Sequence, residues 1–271
     1  MFKTKKHVKN DKGFTLVELM VTVFLTAIAV ISIYRGYTSF SQAADAQQQV
    51  MEMQQNLRIG MTRLAADIRR AGMNEEGEDA ARFMCDEVPT NDTSIEFSMD
   101  LLGGDNVGND DDDDGLIDEE DESRIGDGEI DDDGEGIIYY LAASTLDPTT
   151  NDLKRAALTA GAYPVNPPTL ITNVEALYFV YFDDTGAELV PSLATAAECP
   201  GGGGELSLKG DELQEVDRVE ITLVVRATNE DLRYTNRETY RNLQGDPLVS
   251  NPGDHFRRRV FSMSVQIRNN I

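Results

Sequence analysis

The sequence predicts an α+β protein, a long N-terminal helix laid on an antiparallel β-sheet, and three observations lead there. An apolar run of 21 residues follows a short basic stretch near the start of the chain. An apolar stripe at spacings of three and four then carries the helical pattern to about residue 71. Beyond residue 73 the period falls to two, the signature of half-buried strands.

The helix begins in the run Phe14–Tyr34, whose one ionisable side chain before Tyr34 is Glu18. At 1.5 Å per residue the run measures about 31 Å, close to the hydrocarbon thickness of a bilayer. Lys3, Lys5, Lys6, Lys9 and Lys12 precede it against a single Asp11, and no cluster of cations follows. That asymmetry predicts a membrane-spanning segment with the N-terminus on the cytoplasmic side.

The helix is predicted to run on past the membrane. No proline occurs before Pro89, and Val50, Met53, Leu57, Met61, Leu64, Ile68 and Ala71 trace one apolar face. Gln47, Gln48, Gln54, Gln55, Arg58, Asp67 and Arg69 fall mostly between those positions. A helix from Phe14 to about Ala71 would be roughly 85 Å long, with Gly72 as its C-terminal cap.

Alternation then identifies strands. Ile95, Phe97, Met99 and Leu101 interleave with polar residues, as do Val219, Ile221, Leu223 and Val225, and Phe261, Met263, Val265 and Ile267. Gly136–Leu141 and Val174–Phe182 are further apolar runs bounded by turn residues. One face of such a sheet needs a cover, and the stripe over 50–71 supplies it.

Composition excludes most function classes. The chain has 49 acidic against 24 basic side chains and a net charge of −25, which disfavours nucleic acid and anionic membrane surfaces as general partners. Residues 105–135 carry most of that imbalance, with 17 acids against Arg124. His7 and His255 are the only histidines, so a histidine-rich metal site cannot be built. Neither a nucleophile elbow nor a phosphate-binding glycine loop occurs, and no catalytic constellation is predicted.

The stretch Lys12-Gly13-Phe14-Thr15-Leu16-Val17-Glu18-Leu19 resembles the processing signal of type IV prepilins and type II secretion pseudopilins. The resemblance implies cleavage by prepilin peptidase between Gly13 and Phe14 and methylation of the Phe14 amine. A rival site for ordinary signal peptidase, Ala27-Ile28-Ala29, weighs less because Val30, Ile31 and Ile33 continue the apolar run past it. Glu18 is costly inside an apolar helix, about 2.5–3.5 kcal/mol at its centre and less near its end. It either reaches the headgroups or, as the resemblance implies, pairs with a methylated Phe14 ammonium and sets subunit register.

Within that family, Leu64–Met73 and the closing strand Arg257–Asn269 resemble PilW-type minor pilins. J-type pseudopilins share both features in diluted form. The implied fold is type IV pilin-like. The implied organisation is a cleaved leader over 1–13 and a membrane half of the helix over 14–34. A half packing on the sheet over 35–72 follows, and then a periplasmic or extracellular β-rich domain over 73–271. The implied partners are other pilins through the helix, prepilin peptidase and the inner-membrane assembly machinery.

Cys85 and Cys199 are the only cysteines, and both lie in the part that would be exported. An even count in an oxidising compartment favours a disulfide, contributing about 4–5 kcal/mol in the chain-entropy model. Arg257-Arg258-Arg259 has no aromatic stacking platform and reads as a solvated strand end rather than a DNA patch. Pro200–Gly204 reads as a flexible loop. Asp110, Asp112, Asp114, Gly115, Asp118 and Asp121 match places of an EF-hand-like calcium loop, with Asp where the longer Glu is usual. Two readings stay open there: a solvated acidic loop, or a calcium site with affinity of roughly 0.1–1 mM.

The sequence therefore points to a non-enzymatic minor pilin of a type IV pilus that primes or caps the fibre. The alternatives are a J-type pseudopilin of type II secretion and, from another class, a membrane-tethered enzyme or receptor domain. A tether needs no Glu18, and an enzyme needs a catalytic constellation.

Overall fold

The computed structural model describes residues 15–72, 83–99, 134–145, 147–159 and 162–268. These fall into two compact units, Met1–Gln48 and Gln49–Ile271. One helix, α1 (Leu16–Ile68), contributes to both. The boundary between the two units falls at Gln48/Gln49. Val50 is half-buried, and the buried positions of α1 start at Met53.

In the globular unit that stripe forms the core as its spacing predicts. Met53, Leu57, Met61, Leu64, Ile68 and Ala71 are all buried. After Ile68 the backbone tightens, with Ala71 N–H donating to the Ile68 carbonyl at 3.1 Å. Gly72 then takes a left-handed φ of 70° and donates to the Ser98 carbonyl at 2.8 Å. It turns the chain onto the sheet, four residues past the last α-helical position.

The strands are β1 (Phe83–Met84), β2 (Ser94–Ser98), β3 (Gly136–Ala143), β4 (Asn151–Ala157), β5 (Thr169–Phe182), β6 (Glu188–Leu189), β7 (Ser192–Leu193), β8 (Leu206–Ser207), β9 (Arg218–Arg226), β10 (Thr239–Arg241), β11 (Pro247–Ser250) and β12 (Arg258–Gln266). An antiparallel sheet runs in the order β1-β2-β3-β4-β5-β9-β12, with β6 paired to the end of β5. Two further hairpins pair β10 with β11 and β7 with β8. Ile95, Phe97, Tyr139, Leu153, Ile171, Leu177, Phe179, Ile221, Leu223 and Val265 join the helix stripe in one cluster. Gly60 brings helix and sheet close together, because a Cβ there would lie 2.2 Å from Ile171 Cδ1.

Three expectations are corrected. β4 was not predicted, since Asn-Asp-Leu-Lys-Arg-Ala-Ala shows no clean alternation, yet it pairs with β3 over seven residues. The strand predicted to reach Leu101 ends at Ser98, and both its faces are buried. On its polar face Glu96 accepts from the N–H groups of Glu87 at 2.9 Å and Val88 at 3.1 Å, in the segment that precedes the strand. Finally, Pro200–Gly202 forms a packed 3-10 turn instead of a flexible loop. A Cβ on Gly201 would meet the Glu87 carbonyl carbon at 2.3 Å, so only glycine fits there.

Candidate functional site

The N-terminal unit presents an apolar surface. Leu16, Val17, Phe24 and Ile33 are each more than 60% exposed, on the one described helix long and apolar enough to cross a membrane. Several of its hydroxyls bond back to the helix. Thr22 Oγ1 donates to the Glu18 carbonyl at 2.8 Å, Thr26 to Thr22 at 2.7 Å and Ser32 to Ile28 at 2.8 Å. Such back-bonding lets a helix carry Ser and Thr through hydrocarbon.

Glu18 stands exposed in the first turn, where the free N–H groups and the helix dipole favour a carboxylate. Its N–H donates to Thr15 Oγ1 at 3.3 Å, so Thr15 caps the helix. The pattern Thr-x-x-Glu is legible in the sequence as a capping signature, and the sequence reading passed over it. Gly13 and Phe14 lie outside the described residues, as do Asp110, Asp112, Asp114, Asp118 and Asp121 and hence the calcium expectation.

Cys85 and Cys199, 114 positions apart in sequence, are brought together as free, buried thiols. Cys199 Sγ donates to the Cys85 carbonyl at 3.2 Å, and Cys85 Sγ to the Glu198 carbonyl at 3.5 Å. The Gly201 N–H donates to the same Cys85 carbonyl at 2.9 Å and holds the two segments side by side. Burial, and then the neighbouring Cys199 thiol, push the Cys85 thiol up to about 12. The pair is structural rather than nucleophilic.

A charged cluster missed by the sequence reading fixes the end of α1. Asp67 is fully buried and takes hydrogen bonds from Tyr139 Oη at 2.6 Å, Arg155 Nε at 2.7 Å, Arg63 Nε at 3.2 Å and an Arg70 nitrogen at 2.9 Å. Burial alone would raise its carboxyl, but the bonds from Tyr139 and Arg155 outweigh that and hold it below the usual carboxylate range. The signal existed: Asp67 sits three after Leu64 and four before Ala71, on the buried stripe.

The arginines at the start of β12 differ from the expected solvated end. Arg258 is buried and pairs with Glu175 and Asp254, while Arg257 pairs with Asp231 at 2.7 Å. Arg226 is held by Asp147 and Glu175 beside them. Only Arg259 of the three stays exposed without an ion pair among the described residues, which leaves little for a phosphate backbone to bind.

Against this geometry, the family model described as type IV pilus-assembly protein W matches residues 138–269. The model of the prokaryotic N-terminal methylation motif matches residues 8–34. Over those residues the chain is similar to PilW-type pilins. The PilW match runs from within β3 to β12, and the methylation-motif match takes in Lys9, Lys12, Glu18 and the apolar run to Tyr34. Its helix and motif fit a membrane-anchored pilin. Among solved structures, a type IV-like pilin from Thermus thermophilus is 15% identical with a TM-score of 0.41. That likeness covers 79% of this chain and 95% of the other. No curated protein matches.

Proposed function

We propose that this PilW-type chain is a minor pilin that primes or caps a type IV pilus. It starts as an inner-membrane prepilin with its N-terminus cytoplasmic and its β-rich unit periplasmic. Prepilin peptidase cuts between Gly13 and Phe14 and methylates the new amine. The observation that carries this reading is Glu18: a lone carboxylate in the capped first turn of an otherwise apolar, exposed helix, five residues after the glycine of the matched motif. In a bundle of such helices Glu18 meets the Phe14 ammonium and fixes axial register, and the β-rich unit selects neighbours. The work is done by packing, without a chemical step on a substrate. On export, Cys85 and Cys199 close a disulfide, which their adjacency and burial favour.

Intact mass of the protein extracted from membranes tests the reading. It is expected to equal a chain starting at Phe14 plus one methyl group. A retained leader, or a start at Val30, would overturn it.

A further inference from the structure

We infer that the open edge of β12 is a strand-addition site for an extended segment of another pilus subunit, one bearing carboxylates at both ends. The inference rests on the pilin reading above and names how the β-rich unit recognises a neighbour.

The two edges of the main sheet are unlike. At one end β1 is two residues long and the chain folds over it, the usual way an edge is closed to further pairing. At the other end β12 pairs with β9 over nine residues without a register shift. Ala227 N–H donates to the Arg257 carbonyl at 2.8 Å and Ile267 N–H to the Asp217 carbonyl at 2.9 Å. Odd-numbered residues of β12 therefore direct their backbone groups to β9, and Val260, Ser262, Ser264 and Gln266 direct theirs outwards. No backbone partner for those outward groups exists among the described residues.

Between the arginines at its two ends the edge carries none of the residues that block strand addition. Val260–Gln266 contains no proline, glycine, lysine or other charge. Val260 and Phe261 are 41% and 38% exposed at the same place. A row of unpaired donors and acceptors beside exposed apolar side chains is what an added strand uses, the main chain giving affinity and alternate side chains specificity.

Charge selects the occupant. On a chain of net charge −25, residues 256–268 hold four arginines and no acid. Arg259 lies exposed at one end of the edge, and Arg268 and Arg69 lie exposed at the other, joined by Arg268 N–H to the Arg69 carbonyl at 3.5 Å. None of the three has an ion pair among the described residues. A second copy of this chain paired antiparallel about Met263 would bring Arg259 and Arg268 of opposite copies to adjacent positions, so like charges oppose that arrangement. A neutral strand flanked by Asp or Glu meets both ends.

Amide hydrogen exchange on the full-length chain tests this, in detergent and in the isolated fibre fraction. In detergent the amides of Val260, Ser262, Ser264 and Gln266 should exchange at least tenfold faster than those of Phe261, Met263 and Val265. In fibres they should slow at least a hundredfold. The double variant Arg259→Glu/Arg268→Glu should lower recovery in fibres at least tenfold, with Arg259→Lys/Arg268→Lys near wild type and both melting as wild type does. Edge amides that exchange as freely in fibres as in detergent would overturn the strand-addition site and leave the pilin reading standing. Protection accompanied by dimers of the pure protein would replace the occupant with a second copy and overturn it too. If the wild-type chain never reaches the fibre fraction, both readings fall together.

Discussion

Tyr139 donates its hydroxyl to Asp67 at 2.6 Å, joining the last turn of α1 to the middle of β3 inside the core. A carboxylate so near a helix C-terminus opposes the dipole, so it persists there only because Tyr139 and three arginines surround it. The bond fixes which turn of the helix meets which strand.

Asp67→Asn should therefore cost about 3–5 kcal/mol, the usual loss when one partner of a buried pair is removed. Tyr139→Phe should cost about 1.5–3 kcal/mol. In a double-mutant cycle by urea denaturation the two should be non-additive by more than about 0.5 kcal/mol. The Asp67 carboxyl is depressed in the fold, so its contribution is complete above the ordinary aspartate range and is lost as pH falls through the lower folded value. The gap between wild type and Asp67→Asn should close in strong acid.

Glu96 has the opposite sign. It is buried, and burial raises its carboxyl despite the N–H bonds from Glu87 at 2.9 Å and Val88 at 3.1 Å. Its ionised form is thus a cost to the fold at neutral pH, a cost that starts to fall as pH drops through the raised folded value and is gone below the ordinary glutamate range. Glu96→Gln keeps an acceptor for both N–H groups. It should raise the melting temperature at pH 7 and have progressively less effect towards pH 4.

Gly60→Ala should destabilise the fold by about 1–3 kcal/mol even though alanine is the better helix former by about 1 kcal/mol. The added Cβ would sit 2.2–2.3 Å from two Ile171 atoms that are themselves in the core. Gly60→Ala with Ile171→Val should recover part of the loss in the same denaturation assay.

Oxidation of Cys85 and Cys199 should make the exported protein two hydrogens lighter and protect both thiols from alkylation until a reductant and denaturant are added together. Gly201→Ala would push the Glu87–Val88 backbone away from the turn that carries Cys199 and should slow closure of the bond. Free thiols in protein recovered from fibres would refute the pairing.

Glu18→Ala should leave the chain inserted in the membrane, since removing the charge eases insertion. Crosslinking to other pilins and recovery in fibres should fall. Normal incorporation would remove the register role from Glu18.

Much of this architecture was legible because burial imposes periodicity. Val50 to Ala71 shows its buried face at helical spacing, and β9 and β12 show theirs by alternation. What stayed hidden is what periodicity does not encode. β4 carries Lys154 and Arg155 because Arg155 points at a carboxylate from another element. Both faces of β2 are buried because the segment before it folds back, Glu87 and Val88 N–H groups donating to the Glu96 carboxylate. The turn at Pro200–Gly202 looked like a linker because its glycines answer to close backbone approach, which composition cannot reveal. The motif around Glu18 was readable as spacing alone.

The register of β2 with β3 has a consequence for how this chain can vary. Ser98 stands opposite Gly136, and Met99 N–H donates to the Glu135 carbonyl at 2.9 Å, so the two ends of the intervening segment are fixed side by side. Residues 100–133, with 17 acids and one arginine, lie in sequence between these two ends, whose hydrogen bonds are made without them. Shortening such an insert to a tight turn changes loop entropy by only about 2 kcal/mol, and in the favourable direction. Deleting or recharging residues 100–133 is therefore expected to leave the pairing of β2 with β3 in place.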